Sequence, residues 1–303
     1  MRQCNLLFAY CFATLAPLLQ QGTTKMKTIK LALALSAVLL SPLANADSSK
    51  GDHTEALQLA VDHQTRSPAN VARDKYRNPV ATLAFFEVKP DSTVVEISPG
   101  GGWYTEILAP LLAEHGTYYA AHFPADSTSD YYKRNRAAFV EKLAANPIYN
   151  RVQLTDFAPG NTAAIAPAGS ADVVLTFRNL HNWYSNGGDD GMVAIFKDFY
   201  KALKPGGVLG VVEHRLPADK MTGEWMKSGY FPQQLTITLA EKAGFVFDSS
   251  SEINANPKDT ADHPGGVWTL PPVLRLKEQD KEKYLAIGES DRMTLKFRKP
   301  VAE

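Results

Sequence analysis

Cysteine is nearly absent from this chain of 303 residues: only Cys4 and Cys11 occur. Both precede a predicted export-signal cleavage site. The expected mature chain therefore has no disulfide, no thiolate metal ligand and no cysteine nucleophile. Blocks dense in lysine and arginine are missing too. Lys+Arg and Asp+Glu number 32 each, and removing residues 1–46 takes away Arg2, Lys25, Lys27 and Lys30 but no acid. That leaves 32 − 4 = 28 basic against 32 acidic residues, a formal charge of −4. Such a balance argues against nucleic acid as the partner. The longest N-terminal apolar stretch is too short to span a bilayer comfortably, so no stable membrane anchor is expected after cleavage. No internal repeat or long low-complexity stretch is visible.

The N-terminus reads as an export signal. Met26-Lys-Thr-Ile-Lys30 is a basic n-region, Leu31 to Leu43 a short apolar h-region, and Ala44-Asn-Ala46 fits the small-residue cleavage rule, with Asp47 as the mature start. The signal reads better from Met26 than from Met1. Periplasmic or secreted localisation is the expectation; the alternative is an uncleaved anchor with two apolar segments. The remaining 303 − 46 = 257 residues suit one α/β domain over 47–303.

Two blocks carry the chemistry. In Val94-Val-Glu-Ile-Ser-Pro-Gly-Gly-Gly-Trp-Tyr-Thr-Glu-Ile-Leu-Ala-Pro110 a β-branched run ends in a glycine cluster and turns into a helical pattern. This is the strand–loop–helix unit of nucleotide-binding α/β folds. Gly100, Gly101 and Gly102 allow a tight turn and let a ligand approach the backbone. The second block is Lys201-Ala-Leu-Lys-Pro-Gly-Gly-Val-Leu-Gly-Val-Val-Glu-His-Arg215. Around them, helical patterns over 54–64, 79–86, 103–114, 130–145, 189–203 and 232–243 alternate with strand patterns over 93–97, 117–122, 152–155, 172–177, 207–213, 245–250 and 293–298. Alternation of this kind predicts a parallel sheet with right-handed crossovers. Residues 252–291 read as a long polar, proline-rich loop before the last strand, of the kind that is functional or flexible.

Together the two blocks resemble the class I S-adenosylmethionine (SAM) methyltransferases. The tail, Ser251-Glu-Ile-Asn-Ala-Asn-Pro-Lys-Asp259 and Ser290-Asp-Arg-Met-Thr-Leu-Lys-Phe-Arg-Lys-Pro300, resembles a bacterial family of predicted exported methyltransferases, and the likeness runs from about Arg66 to Pro300. The resemblance implies a Rossmann-like, doubly wound, mostly parallel sheet of order 3-2-1-4-5-7-6 with its last strand antiparallel, N-terminal helices and a long insertion. It implies SAM as cofactor.

In such sheets ligands sit past the carboxyl ends of the strands. The resemblance makes Glu96, Ser98, Gly100, Gly101 and Gly102 the cradle of the methionine part, with Ser98 where the family at large has its first glycine. His122 stands where an acid grips the ribose, and Asp126 is a substitute from the following loop. Asp156 takes the place of the acid that bonds the adenine amino group, with Phe157 packing on the ring. Turn-capping by Asp156 and backbone bonding by His122 are the structural alternatives.

After strand 4, Arg178-Asn-Leu-His-Asn-Trp183 sets a cation, two amides, a histidine and an indole beside the expected sulfonium, and Arg178 is counted among the cofactor contacts. His181 is the candidate general base, Asn179 and Asn182 orient the acceptor, and Trp183 faces a planar or cationic group. Glu213 and His214 complete the catalytic set, with Glu213 fixing His214 or pairing with Arg178. No metal is called for, although His181, Glu213 and His214 leave a metal-assisted hydrolase open. Arg66, Asn70, Arg73, Tyr76 and Arg77 form a basic-aromatic segment that binds an acidic substrate, closes a lid, or is a solvated helix face. The leading function is methyl transfer to a small molecule. The alternative is a catalytically inactive periplasmic binding or accessory protein.

Overall fold

The computed structural model describes residues 45–301 except Thr162, with side chains from His53 onward. The n-region and h-region of the predicted signal and both cysteines lie outside the described residues. Strand β1 (Thr93–Ile97) alternates between two apolar layers: Val94 faces one, Val95 and Ile97 the other. The same alternation runs through β4 (Ala171–Phe177) and β5 (Leu203–Leu216), as a sheet covered on both faces requires. One layer is built by α1 (Asn45–Val61), α4 (Pro79–Phe85) and α5 (Thr105–Leu112), with Leu57, Leu83, Ile107 and Leu108 buried. The other is built by α7 (Leu180–Ala202) and α8 (Gln233–Lys242), through Ile195, Phe196, Phe199 and Leu239. The short helices α2 (Pro68–Val71) and α3 (Asp74–Arg77), then α6 (Asp130–Ala144) and α9 (Lys281–Ile287), lie around the ligand-facing edge or the insertion.

With β2 (Thr117–His122), β3 (Gln153–Asp156), β6 (Phe231–Pro232), β7 (Val246–Ser251) and β8 (Arg292–Arg298), the sheet order is β3-β2-β1-β4-β5-β8-β7. The five strands from β3 to β5 pair in parallel, and β8 is antiparallel to both β5 and β7. This is the expected arrangement with one addition, the two-residue β6, which pairs with the end of β5. Between α5 and β2 the chain needs glycine at Gly116, where a Cβ would stand 2.8 Å from the carbonyls of Pro90 and Ser92.

Three segments differ from expectation. Helix α1 begins at Asn45 rather than Thr54. Helix α7 begins at Leu180 and bends at Gly188 (φ 56°, ψ −155°), so the segment expected to be a loop after strand 4 is helical from its third residue. Its polar, glycine-containing sequence suggests a loop, but a distant carboxylate caps it: Leu180 N–H donates to Glu213 Oε2 at 2.6 Å. The insertion is not structureless. It carries α9 and is pinned by buried side chains: Asn254 donates to Thr82 and Thr294, and Asp259 accepts from Tyr230 and from the Asp291 backbone. Among the described residues no helix is long and apolar enough to cross a membrane.

Candidate active site

Past the carboxyl ends of β1 and β4 lies a cavity of about 420 Å³. The glycine loop forms its floor. Ser98, Gly100 and Gly102 take left-handed backbone conformations (φ 50°, 59° and 78°). At Gly100 and Gly101 a Cβ would meet nothing within 4 Å, so the backbone there is open to the cavity. Gly102 differs: its Cβ would stand 3.0 Å from Lys142 and 3.1 Å from Phe139, so this glycine answers to packing under α6 rather than to a ligand. Ser98 carries the left-handed strain that glycine would avoid, and its buried hydroxyl has no partner.

Beneath the loop, Glu96 accepts hydrogen bonds from Tyr118 Oη and from Thr105 Oγ1 (3.2 Å). Burial pushes its carboxyl up to about 7, against the pull of those two hydroxyls and of Arg77 and Arg178.

His122 is fully buried behind the loop and is not on the cavity wall. Its Nδ1 accepts from Phe123 N–H at 2.8 Å, which makes Nε2 the protonated nitrogen, 3.3 Å from the Gly100 carbonyl. Phe139 stacks on its ring, and burial holds its pKa down at about 4. His122 thus braces the loop, the structural alternative for this residue. Asp126 is exposed and off the wall. Asp156 forms an ion pair with Arg136 at 2.6 Å, and Phe157 packs edge-on against Trp183 in the core. Neither lines the cavity. Trp183, expected to face a ligand, is instead buried between Phe157 and Phe199.

The segment after β4 does reach the cavity through Arg178, Asn179, His181 and Asn182. Asn179 is aimed by two bonds from its amide, to Ile97 O and Thr176 Oγ1, both 3.1 Å. Glu213, fully buried, accepts from His181 Nδ1 (3.1 Å) and His214 N–H (2.7 Å) on one oxygen and from Leu180 N–H on the other. Its partner is therefore His181, not Arg178 or the His214 ring. The carboxylate fixes the Nδ1–H tautomer and leaves Nε2 as the acceptor, without a protein partner among the described residues. Ligand atoms of His181, Glu213 and His214 lie within 4.8 Å of one another, the spacing of a metal site. Three N–H groups already occupy the carboxylate, however, so the arrangement reads as an oriented histidine.

His214 Nδ1 lies 2.5 Å from Ser290 Oγ. Burial first, then His181, Arg292, Arg178 and Arg77, hold its pKa well below the ordinary histidine range, and the ring is neutral. Arg215 does not join it: the guanidinium pairs with Glu252 and Asp291.

The rest of the wall comes from places with no motif. Arg73 and Arg77 approach from α3 and its N-cap, Ser290 and Arg292 from the start of β8, and Val267, Trp268 and Pro271–Val273 from the insertion. The Trp268 ring stands edge-on to His181 at 6.0 Å. Arg73 and Arg77 belong to the basic-aromatic segment visible in the sequence. Arg292 and Ser290 sit inside the tail resemblance but had no chemical signal of their own.

No protein-family model matches the sequence. The mouse 7SK snRNA methylphosphate capping enzyme is 30% identical over 164 residues, which is 50% of this chain and 22% of that protein, so the chain spans about a fifth of its relative's length. Among solved structures the chain is similar to the [4+2]-cyclase SpnF, with 16% identity, a TM-score of 0.52, and 84% of this chain and 96% of that one covered. It is also similar to geranyl diphosphate C-methyltransferase from Streptomyces coelicolor A3(2), with 12% identity, a TM-score of 0.50 and coverage of 79% and 84%. On its sheet order and on these likenesses, the chain carries a methyltransferase-like α/β fold.

Proposed function

We propose that the chain is a SAM-dependent methyltransferase acting on a small-molecule acceptor. One observation carries the reading: the buried His181–Glu213 pair opens onto the same cavity as the glycine loop. The cavity is within the size range of small-molecule and cofactor sites. The open backbone at Gly100 and Gly101, with Ser98, fits the amino-acid end of SAM. Tyr131, on the cavity wall from α6, takes the place toward the base that Phe157 does not occupy. Bound there, SAM supplies a methyl group activated by a sulfonium.

The chain's own residues do the rest. Asn179 and Asn182 orient the acceptor by hydrogen bonds. As the acceptor's nucleophilic atom gains the methyl group, its proton passes to His181 Nε2. Glu213 stabilises the imidazolium through Nδ1–H, as an acid behind a catalytic histidine does. His214, neutral and tied to Ser290, offers a hydrogen bond without a competing charge. Trp268 and the insertion cover the site against water.

By their names, the mouse relative acts on an RNA and the Streptomyces enzyme on a diphosphate of small size. The small-molecule choice here rests on the size of the cavity and on the absence of a basic block. We keep export to the periplasm as part of the proposal; cell fractionation tests it.

A second reading, a binding or accessory protein without turnover, is favoured by one observation: the cavity wall near β2 and β3 presents no carboxylate, because His122 is buried and Asp156 is engaged by Arg136. Incubation with methyl-labelled SAM and a small-metabolite extract separates the two. The enzyme reading predicts label transfer that His181→Gln abolishes while S-adenosylhomocysteine still binds. Undiminished binding with no transfer by the unmodified chain would favour the accessory protein.

A further inference from the structure

We propose that the acceptor is an organic anion, a carboxylate or phosphate ester, received by Arg73, Arg77, Arg178 and Arg292. The acceptor's role rests on the methyl-transfer reading; the anion site does not.

Four guanidiniums from three separate parts of the fold line one cavity. Among the described residues one carboxylate, Glu289, is within ion-pair distance of any of them. It binds Arg73 Nε at 2.6 Å, lies 3.6 Å from Arg77 Nε, and also pairs with Arg292 Nη2. Arg178 has no carboxylate within that distance among the described residues. The other carboxyl on the wall, Glu96, is held by Tyr118 and Thr105 and is pushed up to about 7, so it answers little of the charge. Buried cations ordinarily have partners. Although both arginines are paired through other nitrogens, Arg73 Nη2 and Arg292 Nε are buried with no hydrogen-bond partner among the described residues.

The cluster is accordingly strained. Burial and neighbouring arginines bring Arg77 down to about 7 and Arg178 to about 10. Arg178 is also held in a left-handed backbone conformation (φ 62°), which a side chain other than glycine adopts at a cost. The electrostatic part of this strain is relieved when an anion arrives.

SAM does not supply the missing charge. Its carboxylate is offset by an ammonium, and its sulfonium leaves it with a net positive charge. Its entry would deepen the excess, so the balancing anion must come with the acceptor. Arg292, Arg178 and Arg77 lie close enough to His214 to depress its pKa. A molecule anchored among them therefore lies beside the His181–His214 end of the cavity, where the proton is taken.

The test is calorimetric titration of inorganic phosphate, and separately of benzoate, into the protein already saturated with S-adenosylhomocysteine, in a low-salt buffer free of other polyvalent anions. The expected result is binding of at least one probe to the saturated protein. That binding weakens by about tenfold or more in Arg178→Gln, while the affinity for S-adenosylhomocysteine stays within about threefold. Arg178→Gln removes a cation without an ion-pair partner, so it is expected to fold and to melt higher than the parent. Arg73→Gln, at a half-buried position, is the second variant. Phosphate and S-adenosylhomocysteine excluding one another would overturn the proposal in favour of arginines that hold the cofactor's carboxylate. No binding of either probe to any form would make the cluster structural. Arg178-dependent phosphate binding without any binding of S-adenosylhomocysteine would sink the methyl-transfer reading and leave the anion site standing.

Discussion

Replacing Glu213 with glutamine changes one oxygen for an NH2 group at a site with no spare acceptor. The carboxylate receives three N–H donors: Leu180 at 2.6 Å, His214 at 2.7 Å and His181 Nδ1 at 3.1 Å. A glutamine amide can turn its oxygen toward one side only. If the NH2 faces Leu180, the first turn of α7 loses its cap. If it faces His181 and His214, donors oppose donors and the imidazole must move its proton to Nε2. One or two buried donors are left unpaired, at about 1–3 kcal/mol each, against some relief from no longer burying a charge. The net expectation is a loss of about 2–4 kcal/mol, read from urea unfolding with an unchanged dependence on denaturant. Proton transfer at Nε2 is disabled in the second orientation, and methyl transfer falls by roughly 10²–10⁴-fold. Nitrogen chemical shifts of His181 report the tautomer directly. Unchanged stability together with Nε2-protonated His181 in the parent chain would refute the reasoning.

The ring of His122 is held neutral in the fold, with its pKa at about 4 against an ordinary 6.5. Its contribution to stability is therefore complete above pH 6.5 and is lost as pH falls toward 4, by at most roughly 3 kcal/mol. His122→Gln should shrink the acid-side fall in unfolding free energy over that window, leaving the part due to His214; an identical pH profile would count against it. Gly101→Ala has room for its Cβ and no positive φ, so thermal unfolding should show stability within about 0.5 kcal/mol of the parent or slightly above. Ser98→Gly relieves a left-handed serine with a buried, unpaired hydroxyl, and denaturant unfolding should show a gain of about 1 kcal/mol.

The fold was legible because its signals are local. β-Branched runs, the glycine cluster after β1 and Leu-Lys-Pro-Gly-Gly before the buried part of β5 each specify an element within a dozen residues. The helical start of α7 was not legible, because the group that caps it is Glu213, on another strand. For the same reason the sequence pointed to Glu213 as part of the site and mistook its partner.

His122, Asp156 and Phe157 occupy the strand ends where the resemblance places cofactor contacts. Yet α6 sets Phe139 on the first and Arg136 on the second, and Phe157 meets the indole of Trp183 in the core. Such tertiary coverage leaves no mark on a sequence pattern. The arginine cluster was half visible: Arg73 and Arg77 stand together in the chain, but Arg178 and Arg292 join them only when β4 and β8 deliver their ends to one cavity.

The measurement that bears most directly on the central claim is calorimetric titration of SAM and S-adenosylhomocysteine into the parent protein and into Gly101→Leu. The parent should bind both with Kd of about micromolar order, and the leucine, projecting from the cavity floor into open space, should abolish binding without unfolding the chain. A folded parent that binds neither ligand, or a Gly101→Leu variant that binds as well as the parent, would contradict the account.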